Sequence, residues 1–127
     1  MPSRIVLGLS ALLWLPYGLY CFFAPGALAE IAGVTSGSPT GSIELRAMYG
    51  GLQLAIGSLA LAGLLQESLR RPALVALLFL CGGLFIARLA GAALEGELSA
   101  YTRMGLGFEI ASAGLAGWAL GRMPVTA

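Results

Sequence analysis

Arg88 and Glu109 are the residues of this chain whose types and surroundings promise chemistry. Each sits inside a long apolar run, where a charge is expensive and is retained when it is paired or put to use. A guanidinium carries five N–H donors in a planar fork, and a carboxylate accepts two of them side by side. The two together suit a buried ion pair that sets helix register, or the recognition of a polar molecule. Arg88 stands six residues before the end of its run and Glu109 about nine residues into the next. At about 1.5 Å per helical residue, both fall roughly 9–13 Å below the same surface.

Other polar residues reach that depth. Arg46 and Tyr49 fall in the first two turns of a run that starts from the same side. Arg46, Tyr49, Gln53 and Gly57 recur at i, i+3, i+7 and i+11, one stripe of a regular helix. Cys81, Leu84, Arg88, Gly91 and Glu95 make a second stripe, and Thr102, Gly105, Glu109 and Ser112 a third. Tyr17 and Tyr20 follow Pro16 at a similar depth. Such polar and small-residue stripes belong on the interior side of a membrane bundle. The expected site is therefore a polar layer of Arg46, Tyr49, Gln53, Arg88 and Glu109, with Glu44, Tyr17 and Tyr20 at its margin. Glu44 lies about 200° around the helix from Arg46 at 3.6 residues per turn. It is in the first turn, where the helix dipole favours a carboxylate, so it either stays in the interface or reaches into the layer. Two arginines against one inward glutamate leave surplus positive charge, which calls for a second carboxylate, water or an anionic group.

Composition limits the remaining chemistry. The chain lacks Lys, Asp, Asn and His. Without histidine, neither a His-based metal site nor a Ser-His-Asp triad can be built; no metal and no cofactor is implied. Charged residues are only 10% of the 127 and hydrophobic ones 58%, too few charges to surface a soluble domain. A formal net charge of +1 argues against nucleic acid as a partner. Cys21 and Cys81 are expected at different depths, offset by roughly 10 Å, beyond disulfide reach, and read as packing thiols.

The elements that must position these groups are four apolar segments, Ile5–Phe23, Ile43–Leu65, Pro72–Leu94 and Ala100–Leu120. Each approaches the ~20 residues that cross a bilayer core. Ser3, Ser42 and Ser99 are N-cap residue types ahead of three of them, and Pro72 suits the first turn of the third. Pro16 should kink the first segment. Residues 66–71 and 95–99 read as polar turns. Pro25–Ala32 reads as a short interfacial helix with Leu28 and Ile31 toward lipid, followed by a Gly/Ser/Thr/Pro loop over Thr35–Ser42. Arg4, the apolar run and Ala27-Leu28-Ala29 have the outline of a signal peptide, but the run is long and a spanning helix is expected. The fold class is thus all-α, an integral membrane four-helix up-down bundle forming one domain. Arg4, Arg70, Arg71 and Arg122 fall on one side and Glu30, Glu95 and Glu97, with only Arg103 nearby, on the other, so both termini are expected in the cytoplasm. Tyr17, Tyr20, Trp14, Tyr101 and Trp118 either join interfacial aromatic belts or line a pocket. The ladders Gly83-x3-Ala87-x3-Gly91 and Ala113-x3-Gly117-x3-Gly121 allow close packing within the bundle or between copies of the chain.

The run Glu44-Leu45-Arg46-Ala47-Met48-Tyr49-Gly50-Gly51-Leu52-Gln53, with Gly83-Leu84-Phe85-Ile86-Ala87-Arg88-Leu89, Glu95-Gly96 and Glu109, resembles the signature of the DUF4345 family, a domain of unknown function. The resemblance implies a small bacterial four-helix protein, DoxX-like in layout, in the inner (cytoplasmic) membrane. It implies no activity. It directs attention to Glu44, Arg46, Tyr49, Arg88 and Glu109.

Four functions compete. The first is binding of a small amphiphilic or anionic ligand or lipid, with Arg46 and Arg88 on its polar end and Glu109 orienting Arg88. The second is a small oligomeric transporter or channel, against which the clear arginine bias and the absence of a glutamate in the first helix both count. The third is an isomerase or hydrolase of a lipid-like substrate, with Glu109 or Glu44 as acid or base and Tyr49 assisting. The fourth is a structural or assembly role in which Arg88 and Glu109 serve stability alone. The partners expected are membrane lipids and an amphiphilic ligand, with self-association as a further possibility.

Overall fold

The computed structural model describes residues 2–124, and all their regular structure is helical. Helix α1 spans Pro2–Phe23, α2 Ala27–Ala32 and α3 Pro39–Leu45; a π-helical turn, Arg46–Gly51, joins α3 directly to α4, Leu52–Leu65. Helix α5 spans Glu67–Glu95 and α6 Ala100–Gly121.

Three of these helical stretches, Pro2–Phe23, Pro39–Leu65 and Glu67–Glu95, are long and apolar enough to cross a membrane. Large apolar side chains point outward along them, Leu12 at 69%, Phe79 at 76% and Leu94 at 87% exposure. Such a surface is tolerable in lipid and not in water. The chain is a helical membrane protein. Helix α6 matches α1 at 22 residues, but it carries Arg103, Glu109 and several glycines and is not among these three.

The chain's small residues set its packing. Helix α1 lies on α4 and the π turn, α4 on α5, and α5 on α6, whereas α1 and α6 meet lightly. Contact between α1 and the α3–α4 stretch is backbone to backbone. A Cβ at Gly18 would fall 2.8 Å from the Leu54 nitrogen, one at Gly50 2.7 Å from Phe22 Cβ, and one at Gly57 2.8 Å from Leu15 Cγ. The buried core combines Leu7, Trp14, Leu74, Leu77 and Cys81 with the α6 alanines Ala113, Ala116 and Ala119.

Several helix ends depart from expectation. Pro2 opens α1, so Ser3 lies within the helix and is buried. The second long helix begins at Pro39 rather than Ile43. Ser38 caps it by accepting from the Gly41 N–H at 3.1 Å, which puts Ser42 inside. Residues 67–71 are helical, leaving Gln66 alone between α4 and α5 and placing Pro72 in the second turn. Gly63 makes this corner possible: a Cβ there would meet Ala73 Cβ at 2.8 Å and the Leu69 carbonyl at 3.0 Å. Leu28 does not face lipid; it is 1% exposed. Gly33 in the left-handed region, φ 69°, reverses the chain, and Val34 N–H bonds back to the Leu28 carbonyl at 3.1 Å, folding the segment over that side chain. Ile31, as expected, is exposed. Ser99 caps α6 as expected, accepting from Thr102 N–H at 3.1 Å.

Candidate functional site

Helices α5 and α6 place Arg88 and Glu109 against each other. Arg88 Nε donates to Glu109 Oε1 at 2.9 Å and to Oε2 at 3.1 Å, and Nη2 donates to Oε1 at 2.7 Å. The carboxylate is 3% exposed, while the arginine side chain keeps 29%. Nη1 makes no hydrogen bond among the described residues and is not enclosed. The pair is thus buried at its carboxylate end and open at its guanidinium end.

Gly105 explains why the fork lies where it does. It stands one turn before Glu109 on α6, and a Cβ there would come within 2.8 Å of Arg88 Nε and 3.1 Å of Cζ. The guanidinium occupies the place a side chain would take. Tyr101, a further turn back on the same face, has its ring centroid 5.9 Å from Arg88 Cζ, within the range of a cation–π contact.

Arg88 lines a cleft of ≈ 670 Å³ between α2 and the α5–α6 connection, the residue of α5 there furthest from that connection. Its walls carry Glu95, Glu97, Ser99, Tyr101 and Thr102, with Ile31 of α2 on the far side. Thr102 belongs to the stripe expected on α6, and Tyr101 was expected either in an aromatic belt or lining a pocket; both line the cleft. Tyr101, Gly105 and Glu109 recur at i, i+4 and i+8, which puts Tyr101 on the Glu109 face.

The other expected residues are placed differently from one another. Tyr49, on the π turn, is half-buried and within electrostatic range of Arg88. Tyr17 approaches Tyr101 and Cys21, bringing α1 to the edge of the site. Arg46 turns away from Glu109: Nη1 donates to the Phe22 carbonyl at the end of α1, and its Cζ lies 5.8 Å from the Phe22 ring centroid. Gln53 donates to the Met48 carbonyl at 3.4 Å, and its buried Oε1 has no partner. Glu44 is exposed, and Tyr20 is 51% exposed.

The aromatic residues divide. Trp118 is 49% exposed and lies under Arg122, with Cζ 5.3 Å from its ring centroid. Trp14 is 6% exposed, part of the core, and meets Phe108 edge to face at 5.5 Å. Below that pair a small groove of ≈ 190 Å³ runs between α1 and α6, lined by Leu9, Ser10, Leu13, Ser112 and Leu115. Cys21 and Cys81 are free and buried, as expected of packing thiols. No three Cys or Glu side chains converge among the described residues.

Neither a curated protein nor a solved structure matches the chain. A family described as a domain of unknown function, DUF4345, matches residues 2–120. That span takes in the Glu44–Gln53 run, Arg88, Glu95-Gly96 and Glu109, the residues on which the resemblance rested, and on a match over nearly the whole chain the protein belongs to the DUF4345 family.

Proposed function

We propose that this protein is a four-helix up-down bundle of the bacterial inner membrane, both termini cytoplasmic, that holds the polar end of an amphiphilic molecule at Arg88. In this reading α6 is the fourth span. Its charge is tolerable because Glu109 faces Arg88 and not lipid. Arg4, Arg70, Arg71 and Arg122 then lie at the cytoplasmic ends, and the cleft opens outward.

The observation that carries the reading is the asymmetry of the pair. A pair that only fixes helix register calls for no free donor beside a cleft, since polar groups in such a pair are best satisfied within it. Here Glu109 is enclosed and takes up Nε and Nη2, while Nη1 is left free on a side chain that lines a cleft large enough for a small molecule. Glu109 orients the fork; the free side of the fork binds.

The test is native mass spectrometry of gently purified protein, wild type against Arg88→Leu and against Arg88→Leu combined with Glu109→Leu. A stoichiometric adduct on wild type alone supports binding and identifies the occupant. A bare wild-type chain, with the double variant equally folded, leaves a register-setting pair and defeats the proposal.

A further inference from the structure

The amphiphile reading leaves the chemistry of the head and the path of the tail open, and both follow from what surrounds Arg88. The charge of Arg88 is matched by Glu109, which accepts three hydrogen bonds from it. The other charged side chains on the cleft wall are Glu95 and Glu97. An anionic head would enter a cleft whose cation is already neutralised and whose rim is acidic. A cationic head would find acceptors in Glu95, Glu97 and the hydroxyls of the wall, but it could not accept from the Arg88 guanidinium, which only donates. An uncharged oxygen acceptor meets neither objection.

A second, apolar groove lies further along the face of α6 that carries Tyr101. Helices α1 and α6 meet lightly, and aromatic residues line their seam: Tyr17 by Tyr101, and Trp14 edge to face with Phe108. Phe108 adjoins Glu109 in the chain, and the groove beneath it continues past Leu13 to Leu115. From Tyr101 to Leu115 the distance along α6 is about 21 Å, at 1.5 Å per residue, the reach of a long hydrocarbon chain.

We infer, resting on the amphiphile reading, that the bound molecule is a long-chain amphiphile with an uncharged carbonyl head, the carbonyl accepting from Arg88 in the cleft and the chain lying in the α1–α6 seam against Trp14 and Phe108. The charge of the site selects the head, and the seam selects a single chain over a two-chain lipid.

Trp14 makes the test direct, because the chain has only two tryptophans. In Trp118→Phe protein, in detergent, Trp14 alone fluoresces, and methyl 9,10-dibromostearate serves as a carbonyl-headed quenching probe with 9,10-dibromostearate as its anionic counterpart. Saturable quenching of Trp14 is expected from the ester, with the acid requiring at least tenfold higher concentration. Ala111→Phe, which fills the groove without touching Arg88, should weaken the ester at least tenfold. Trp118, read in Trp14→Phe protein, should show only unsaturable quenching. Equal or tighter binding of the acid overturns the uncharged head and leaves amphiphile binding standing. Unsaturable quenching of Trp14 by both probes, with an adduct still seen by native mass spectrometry and lost in Arg88→Leu, overturns the seam alone. No saturable quenching and no adduct overturns this inference and the binding function together.

Discussion

Gly105 and Arg88 share one volume: the α6 backbone lacks a side chain where the α5 guanidinium lies, with a gap that a Cβ would close to 2.8 Å from Nε. A pair that crosses between helices this closely is fixed in direction as well as in partner. Gly105→Ala should therefore push Arg88 off its bidentate seat. Overpacking of this kind costs about 1–3 kcal/mol, read as a lowered midpoint of thermal unfolding in detergent. The informative comparison is Gly105→Ala in an Arg88→Leu background, where the obstruction is gone and the alanine should cost less. An undiminished cost there would place the role of Gly105 elsewhere.

Breaking the pair from either side should be unequal. Glu109→Leu leaves a guanidinium that still reaches the cleft, whereas Arg88→Leu leaves a carboxylate 3% exposed. Losing one partner of a buried pair costs about 3–5 kcal/mol. The Arg88 variant should lie at that end of the range and the Glu109 variant below it. The double leucine variant should regain most of the loss, because no unpaired charge remains. Equal losses for the two single variants would mean that the guanidinium end is as enclosed as the carboxylate end.

Glycines separate into those that touch a neighbour and those that do not. Gly50→Ala and Gly57→Ala would each drive a methyl group to within 3 Å of α1 atoms and should lose about 1–3 kcal/mol or more. At Gly83 and Gly91 nothing lies within 4 Å of a Cβ, and alanine there should be neutral within about 0.5 kcal/mol. Thermal unfolding of the four single variants is sufficient. A large loss at Gly83 or Gly91 would point to packing against a second copy of the chain.

How much of this was legible varies with how regular the helix is. Arg88 and Glu109 were found by counting depth along two uninterrupted helices, and their meeting needed only the 1.5 Å rise and a short connection. The Arg46–Tyr49–Gln53 stripe assumed 3.6 residues per turn, and the π turn over Arg46–Gly51 breaks that assumption. Its wider turn rotates Arg46 relative to Gln53, which is why Arg46 faces Phe22 and not Glu109. The small-residue ladders left their partner open for a different reason. Spacing reveals that a helix has a smooth face but not what lies on it, and within this chain nothing approaches a Cβ at Gly83 or Gly91. Leu28 was misread because its burial depends on the chain reversal at Gly33, a consequence of one backbone angle.

The π turn itself yields the last prediction. Arg46 joins it to the end of α1 through the Phe22 carbonyl and the Phe22 ring, and Tyr49, one of the groups near Arg88, rides on the same turn. A lysine retains the charge but lacks the planar fork that donates and stacks at once. Arg46→Lys should therefore behave more like Arg46→Leu than like wild type. Each should lose about 1–2 kcal/mol, the scale of a hydrogen bond to a charged group discounted for partial exposure. Hydrogen exchange resolves cause from consequence. Amides of residues 46–51 should lose protection in both variants while those of α5 keep theirs, because the turn is released and the Arg88–Glu109 pair is not. Protection unchanged in Arg46→Lys would show that charge alone holds the turn, with the Phe22 carbonyl as its sole partner.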